Sequence, residues 1–434
     1  MNQIFIILAL LLFTFAVHAH PVTPEQESIA RIEYPTDTLY KIWLTQLTDH
    51  QAALNFYNKL VEKHLVELKK NDEKMVTVTY FAQGSADTDY MLQSGGPDFY
   101  GLRFKRLGNS HIYFCVQDIP SDAWFSYGVN EFTRKKATAL AGIEQTAMTH
   151  LYDGAVIGPT APLSSFIQAT QSTPKGALRD FQINSKFMAE QRNIQVYVPA
   201  SYDPKVAHNL VLQFDGQNFT ASPEHDSVWQ GWTPMPTILD NLIHQKKIAP
   251  TIAIFIHNQG NRSADLISDK MADFVALELV AWARKNYHIA PEPKNVLVSG
   301  PSRGGFAAAN TALRHSNIIG GVLSQSGSFY YTLQEQENWP VYPEFEGKLI
   351  LDYKRSAKRD VHFYLDVGLY DLGLGAVGTN RQLRDVLELK GYRVDYYQYK
   401  GGHSHLGWRH TLANGLISLL GKQETYNSLQ RSGR

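Results

Sequence analysis

The stretch Asn295-Val296-Leu297-Val298-Ser299-Gly300-Pro301-Ser302-Arg303-Gly304-Gly305-Phe306-Ala307-Ala308-Ala309 decides how this chain is read. An apolar, β-branched run enters the pattern Gly-x-Ser-x-Gly, and an alanine-rich segment leaves it. The first part predicts a buried strand and the last a helix, since alanine loses least on entering one. Between them a serine must turn the chain within a few residues while its hydroxyl stands clear of the backbone. Glycines two before and two after it leave room where side chains would collide. Pro301 suits the turn, because the residue before a proline is pushed extended, as a strand end requires. Ser302 is therefore a candidate nucleophile. The five-residue pattern recurs by chance; the strand before it, the helix after it and suitable partners downstream are what make it specific.

The surroundings supply that context. After about residue 175 the sequence alternates. Strand-like runs occur at Ile194–Pro199, Leu210–Gly216, Thr251–Ile256, Val296–Ser299, Gly321–Ser324 and Val361–Val367. Helical periodicity lies between most of them, as over Asp273–Asn286 and Asn380–Lys390. Strands alternating with helices predict a mostly parallel central sheet, here that of an α/β-hydrolase over residues 175–423. Upstream, residues 20–72 read as a helical segment, with helices over Thr36–Leu47 and Gln51–Leu68. Residues 73–174 read as a smaller β-sandwich-like domain and linker. Their runs Val76–Phe81, Gly101–Leu107, Ile112–Val116 and Trp124–Val129 are short, alternating and separated by turn residues.

The 434 residues carry no net charge, so there is no electrostatic case for nucleic acid or for an anionic membrane surface. Ile4–Val17 is an uncharged apolar run followed by Val17-His18-Ala19 and polar sequence. It predicts a signal peptide over residues 1–19, hence a periplasmic or secreted protein with no membrane span after cleavage. Residues 424–434 read as a polar tail. Cys115 is the sole cysteine, which excludes an intrachain disulfide, and its strand-like surroundings predict a buried thiol.

A serine nucleophile needs a base within hydrogen-bond reach, and in this fold the chain order is serine, acid, histidine. Lys400-Gly401-Gly402-His403-Ser404-His405-Leu406-Gly407-Trp408-Arg409 offers the base, with His403 preferred over His405 and His410. Tyr364-Leu365-Asp366-Val367-Gly368-Leu369-Tyr370-Asp371 offers two acids. Asp371 is preferred because it lies past the strand end, whereas Asp366 is still within the strand. The oxyanion of a tetrahedral intermediate needs fixed N–H donors. One should be the amide of Arg303, just after the nucleophile. The other should follow the strand ending in Phe214-Asp215-Gly216-Gln217, from Gly216 or, preferably, Gln217. His403-x-His405 also admits a metal reading, but no acidic or histidine cluster completes one, and no cofactor is expected.

On these residues the chain resembles the enterochelin (ferric enterobactin) esterases within the esterase D-like group. The resemblance is carried by Phe214-Asp-Gly-Gln217, Gly300-Pro-Ser-Arg-Gly-Gly305, Leu323-Ser-Gln-Ser-Gly-Ser328, Gly368-Leu-Tyr-Asp371 and Gly401-Gly-His403 followed by Trp408-Arg409. It covers residues from about 175 to 421, and more weakly the β-rich region. It implies Ser302 as nucleophile, His403 as base and Asp371 as acid. It also implies Arg262 as a substrate-side or structural residue, in a stretch where the family has Arg-x-x-Glu-Leu and this chain has Asp265. Trp232 and Trp229 stand where aromatic side chains could line an aryl pocket. The expected function is hydrolysis of carboxylic esters through an acyl-enzyme, on a siderophore lactone or a small-molecule or glycan-linked aryl or acyl ester. The alternative is a non-catalytic glycan- or siderophore-binding protein with a hydrolase fold.

Overall fold

The computed structural model describes residues 22–69, 71–98, 101–134, 146–221, 231–332 and 346–421. The expected signal peptide, the polar tail and Trp229 lie outside the described residues. Helices Pro24–Glu33, Asp37–Gln46 and Ala52–Lys59 come first. Eight strands follow: β1 (His64–Leu68), β2 (Met75–Gln83), β3 (Thr88–Gly95), β4 (Leu102–Arg103), β5 (Lys105–Arg106), β6 (Ile112–Pro120), β7 (Trp124–Arg134) and β8 (Thr146–Ile157). They form two four-stranded sheets, ordered β1-β2-β6-β5 and β4-β3-β7-β8. The inward side chains interleave. Val76, Val78 and Tyr80 of the first sheet share one buried cluster with Phe125, Tyr127 and Val129 of the second. Cys115 is buried in that cluster, and burial pushes its thiol well above the ordinary range. The three helices pack on the outer face of the first sheet, around Phe81, Ile112 and Phe114.

Two expectations change here. The helix expected over Gln51–Leu68 ends at Lys59, and His64–Leu68 is a strand paired antiparallel with β2. The spacing of Leu65 and Leu68 suits a helical stripe, but the ladder with β2 decides the conformation, as tertiary pairing overrides local pattern. The single strand expected over Gly101–Leu107 is two short pieces in different sheets, joined at buried Phe104. Strand β3, rich in polar residues, and β8, whose apolar residues cluster instead of alternating, carried too little apolar alternation to be read from sequence.

The rest of the chain adds β9 (Ala177–Ser185), β10 (Glu190–Val198), β11 (Asn209–Gln213), β12 (Thr251–Ile256), β13 (Val296–Pro301), β14 (Gly321–Gln325), β15 (His362–Gly368) and β16 (Arg393–Tyr399). They form one sheet in the order β16-β15-β14-β13-β11-β12-β10-β9. Strands β11 to β16 run parallel, while β10 is antiparallel to both β12 and β9. Alternate residues feed opposite faces. Leu210, Leu212, Val296 and Val298 enter one core with the helix Arg303–Arg314. Val211, Leu297 and Leu323 enter the other with Met235–His244 and His405–Leu420. Burial on both faces is why these strands read as continuous apolar runs. The helix expected over Asp273–Asn286 contains a π-helical turn at Phe274–Leu279, and the one expected from Asn380 begins at Gly373. Among the described residues, no helix is long and apolar enough to cross a membrane.

Candidate active site

In a parallel sheet, ligands gather beyond the carboxyl ends of the strands. Five neighbouring strands here end in the residues singled out above. β13 runs into Ser302, β11 into Asp215–Gln217, β14 into Ser326–Ser328, β15 into Asp371 and β16 into His403.

Ser302 has φ 54° and ψ −122°, a conformation that costs an L-residue roughly 1–3 kcal/mol and persists only when neighbours impose it. They do so through hydrogen bonds. Ser302 N–H donates to Gln325 O (2.8 Å), and Ser302 O accepts from the amides of Gly305 (3.0 Å) and Ser328 (3.0 Å). A Cβ on Gly300 would lie 2.5 Å from the carbonyl carbon of Gly304, and one on Gly305 would lie 2.3 Å from Ser324 Oγ. Both glycines are therefore required by close approach. The Ser302 hydroxyl is bonded to Ser328 Oγ at 3.2 Å, and Ser328 Oγ donates in turn to Tyr330 Oη at 3.2 Å. Sequence reasoning assigned neither residue a role; for Ser328 the signal was present in Leu323–Ser328.

His403 Nδ1 lies 2.7 Å from Asp371 Oδ1, with Asp371 fully buried and the imidazole side chain 16% exposed. A carboxylate can only accept, so this bond places the proton on Nδ1 and leaves Nε2 as the basic nitrogen. Trp408 holds the ring edge-on at 5.0 Å between centroids. The other candidates are engaged elsewhere. His405 Nδ1 is 2.9 Å from Thr233 Oγ1, and its ring packs on Phe219 and Trp408. His410 Nδ1 accepts from the Ser164 amide, and burial pushes it down to about 4. The imidazoles of His403 and His405 thus face different partners. Among the described residues no group of three His, Cys, Asp or Glu is placed to hold a metal.

Asp366 sits inside β15, opposite Gln325 in register, and accepts from Gln325 Nε2 at 3.4 Å. Burial pushes its carboxyl from the usual 3.8 up to about 7, with Asp371 adding to the rise. Between those values the native protein holds a proton that the unfolded chain has released. The cost of charging Asp366 therefore grows as pH rises through that window and is fully present above it. Asp366→Asn is expected to gain stability over the wild type at pH 8 and to lose that advantage toward pH 4, with a slope of at most about 1.4 kcal/mol per pH unit. Urea denaturation at several pH values measures this, and a pH-independent difference would reject it.

Arg303 and Gln217 stand in the first turns of the helices Arg303–Arg314 and Gly216–Thr220, whose leading N–H groups have no acceptor within their own helix. The shorter helix is entered through Asp215 at φ 57°, another strained non-glycine residue. The Asp215 carboxylate accepts from Arg262 Nε (2.5 Å) and Nη2 (2.8 Å) and from Asn258 Nδ2 (2.6 Å). Gln217 Oε1 accepts from the Asn258 amide at 3.1 Å. Arg262 is thus tied to the loop that carries Gln217. Asp265, where this chain departs from the family pattern, pairs with the buried Arg192 at 3.0 Å. Trp232 is half-buried, with the Arg409 guanidinium 5.4 Å above its ring.

A serine on a strained turn at the centre of a parallel sheet, with helices on both faces, defines the α/β-hydrolase fold. The chain belongs to the Esterase family, which residues 185–419 match. It is 27% identical over 244 residues to the iron(III) enterobactin esterase of Dickeya dadantii, covering 54% of this chain and 53% of that protein. It is 25% identical over 269 residues to the iron(III) enterobactin esterase of Escherichia coli K12, covering 60% and 61%. The chain thus spans between half and two thirds of these relatives. In structure it is similar to the enterobactin esterase of Shigella flexneri (TM-score 0.65, 18% identity, 84% of this chain and 97% of that one). It is likewise similar to the ferric enterobactin esterase of Salmonella typhimurium (TM-score 0.64, 19% identity, 84% and 98%). These likenesses establish the fold, with the β-rich region included in the match.

Proposed function

We propose that the protein is a serine esterase working through an acyl-enzyme, with Ser302 as nucleophile, His403 as base and Asp371 as the acid that orients it. The observation that carries this reading is the His403–Asp371 bond on the loops after β15 and β16, at the same end of the sheet as a strained serine after β13. In the proposed reaction the Ser302 hydroxyl leaves Ser328 for His403 Nε2, a bond of the kind that often tightens only with substrate present. His403 removes the proton as Ser302 Oγ attacks the ester carbonyl. The amides of Arg303 and Gln217 receive the oxyanion, and His403 then protonates the departing alcohol. Water, deprotonated by the same imidazole, releases the acid and restores the serine. Kinship with enterobactin esterases supports a siderophore ester as substrate, and we keep an aryl or acyl ester of a small molecule or glycan within the proposal. The leader read in residues 1–19 supports export to the periplasm or medium. Mass spectrometry after treatment with a fluorophosphonate tests the chemistry: a single adduct on the peptide bearing Ser302 is expected, and a folded protein that stays unlabelled would reject it.

Arg262 receives a positioning role in this reading. By holding Asp215 it holds the turn that aims the Gln217 amide. Removing one oxyanion donor typically costs about 10²–10³-fold in kcat. Arg262→Met is expected to lower kcat by on the order of 10²-fold with little change in KM. A rise in KM at constant kcat would instead make Arg262 a substrate-binding residue.

A further inference from the structure

The bond between His403 and Asp371 joins two separate loops, so it forms only where both loops are held. They are tied to each other first. Leu369 N–H donates to Tyr399 O (2.7 Å) and Tyr370 N–H to Gly401 O (2.9 Å). A Cβ on Gly368 would lie 2.2 Å from Gly401 O, so the two backbones are in direct contact. Both loops then rest on one place in the sandwich, the start of β7.

Trp124 N–H donates to Lys400 O at 2.9 Å, and the Trp124 ring stacks on Tyr399 at 5.1 Å and 17°. With Leu406 these two rings form a small buried cluster bridging sandwich and hydrolase sheet. The next residue, Phe125, meets the ring of Tyr370 edge-on at 5.5 Å and 89°. Through that contact Tyr370, the neighbour of Asp371, packs on the sandwich core. In the turn just before β7, the Asp122 carboxylate accepts from Lys400 Nζ with both oxygens, at 2.7 and 2.8 Å. A Cβ on Gly401 would lie 2.8 Å from Trp124 O, so the strand backbone sits directly against the histidine loop.

Three sandwich residues, Asp122, Trp124 and Phe125, thus border residues 370 and 399–402, which flank Asp371 and His403. Loops on a protein surface are ordinarily its more mobile parts, and a misplacement of about 1 Å in a catalytic group can cost about 10²-fold in rate. Resting on the serine-esterase reading above, we propose that the β-sandwich is a positioning element for catalysis. Asp122, Trp124 and Phe125 clamp Lys400, Tyr399 and Tyr370 and so keep His403 in register with Asp371. The sandwich then serves the reaction without touching substrate.

The test compares full-length wild type, Tyr370→Ala, Tyr370→Phe and Lys400→Met. Each is assayed for hydrolysis of p-nitrophenyl acetate. Each is also made in a Ser302→Ala background for proton NMR of the downfield Nδ1–H signal that reports the His403–Asp371 bond. Tyr370→Ala is expected to lower kcat by on the order of 10- to 100-fold with KM within about two-fold, because the loss falls on the geometry of the base and not on substrate binding. Its NMR signal should broaden or vanish. Tyr370→Phe, which keeps the ring, should match wild type. Lys400→Met should show smaller changes in the same direction. A folded Tyr370→Ala with the wild-type signal and kcat would overturn the proposal. If Tyr370→Ala does not fold, Lys400→Met decides, since it removes only a partly exposed ion pair, and a wild-type signal and rate there would overturn it equally. The NMR readout needs no turnover. Should Ser302→Ala retain esterase activity, the serine-esterase reading would fail while the signal still tested the clamp.

Discussion

Replacing Ser302 by alanine is expected to lower kcat for p-nitrophenyl and catecholate esters by roughly 10⁴- to 10⁶-fold, the range seen when a nucleophile of this kind is removed. The fold should survive. Alanine at φ 54° is strained much as serine is, and the hydrogen bonds that impose the turn use the backbone of residue 302, not its side chain. The side chain loses only its bond to Ser328 Oγ. The acyl-enzyme route has no substitute for the missing oxygen, since water would have to attack without being held. A variant that folds and keeps more than about a tenth of the rate would sink the serine mechanism. The variant also separates catalysis from the alternative of glycan or siderophore binding: a binding protein should hold its ligand equally well after Ser302→Ala, and should show no turnover to lose.

Asp371→Asn is the second large effect, with an expected fall in kcat of about 10³- to 10⁴-fold near neutral pH. The argument lies in the proton on His403. Asp371 Oδ1, 2.7 Å away, obliges Nδ1 to carry it and leaves Nε2 able to accept the serine proton. An asparagine amide can point its NH₂ at Nδ1 instead, which moves the ring proton to Nε2 and presents the serine with a donor. It also removes the charge that stabilises the imidazolium. Binding contacts stay in place, so KM should change little. Asp366→Asn provides the contrast. Asp366 lies in the same strand system and is equally buried, but bonds to Gln325 and not to the imidazole, so its variant should keep kcat within a few-fold. If the two variants exchanged these phenotypes, the acid would have been assigned to the wrong carboxylate.

Much of the hydrolase half was legible because its signals are local. The elbow is a steric solution written in five consecutive residues. The strands of its sheet are buried on both faces, so β11, β12, β13 and β14 appear as apolar runs that need no partner to be recognised. The histidine and acid loops carry glycines where two backbones touch, as Gly368 and Gly401 do. The N-terminal half was harder. His64–Leu68 suits either period, and its partner on β2 settles it. Leu102–Arg106 reads as one strand because the passage from one sheet to the other leaves no mark in the pattern. Strands β3 and β8 take their conformation from ladders with β7.

The sequence by itself determined the strand-turn-helix at Ser302 and the apolar strands of a mostly parallel sheet, because each depends on residues a few positions apart. Only the tertiary structure decided which residues meet. It paired His403, and not His405 or His410, with Asp371. It turned Arg262 toward Asp215, set Ser328 against Ser302 and laid Trp124 and Phe125 along the two loops that bear His403 and Asp371. Those contacts, together with the Asp122–Lys400 pair, join residues up to 278 positions apart. Local pattern carries no information at that range, since long-range contacts are chosen by the packing of whole elements.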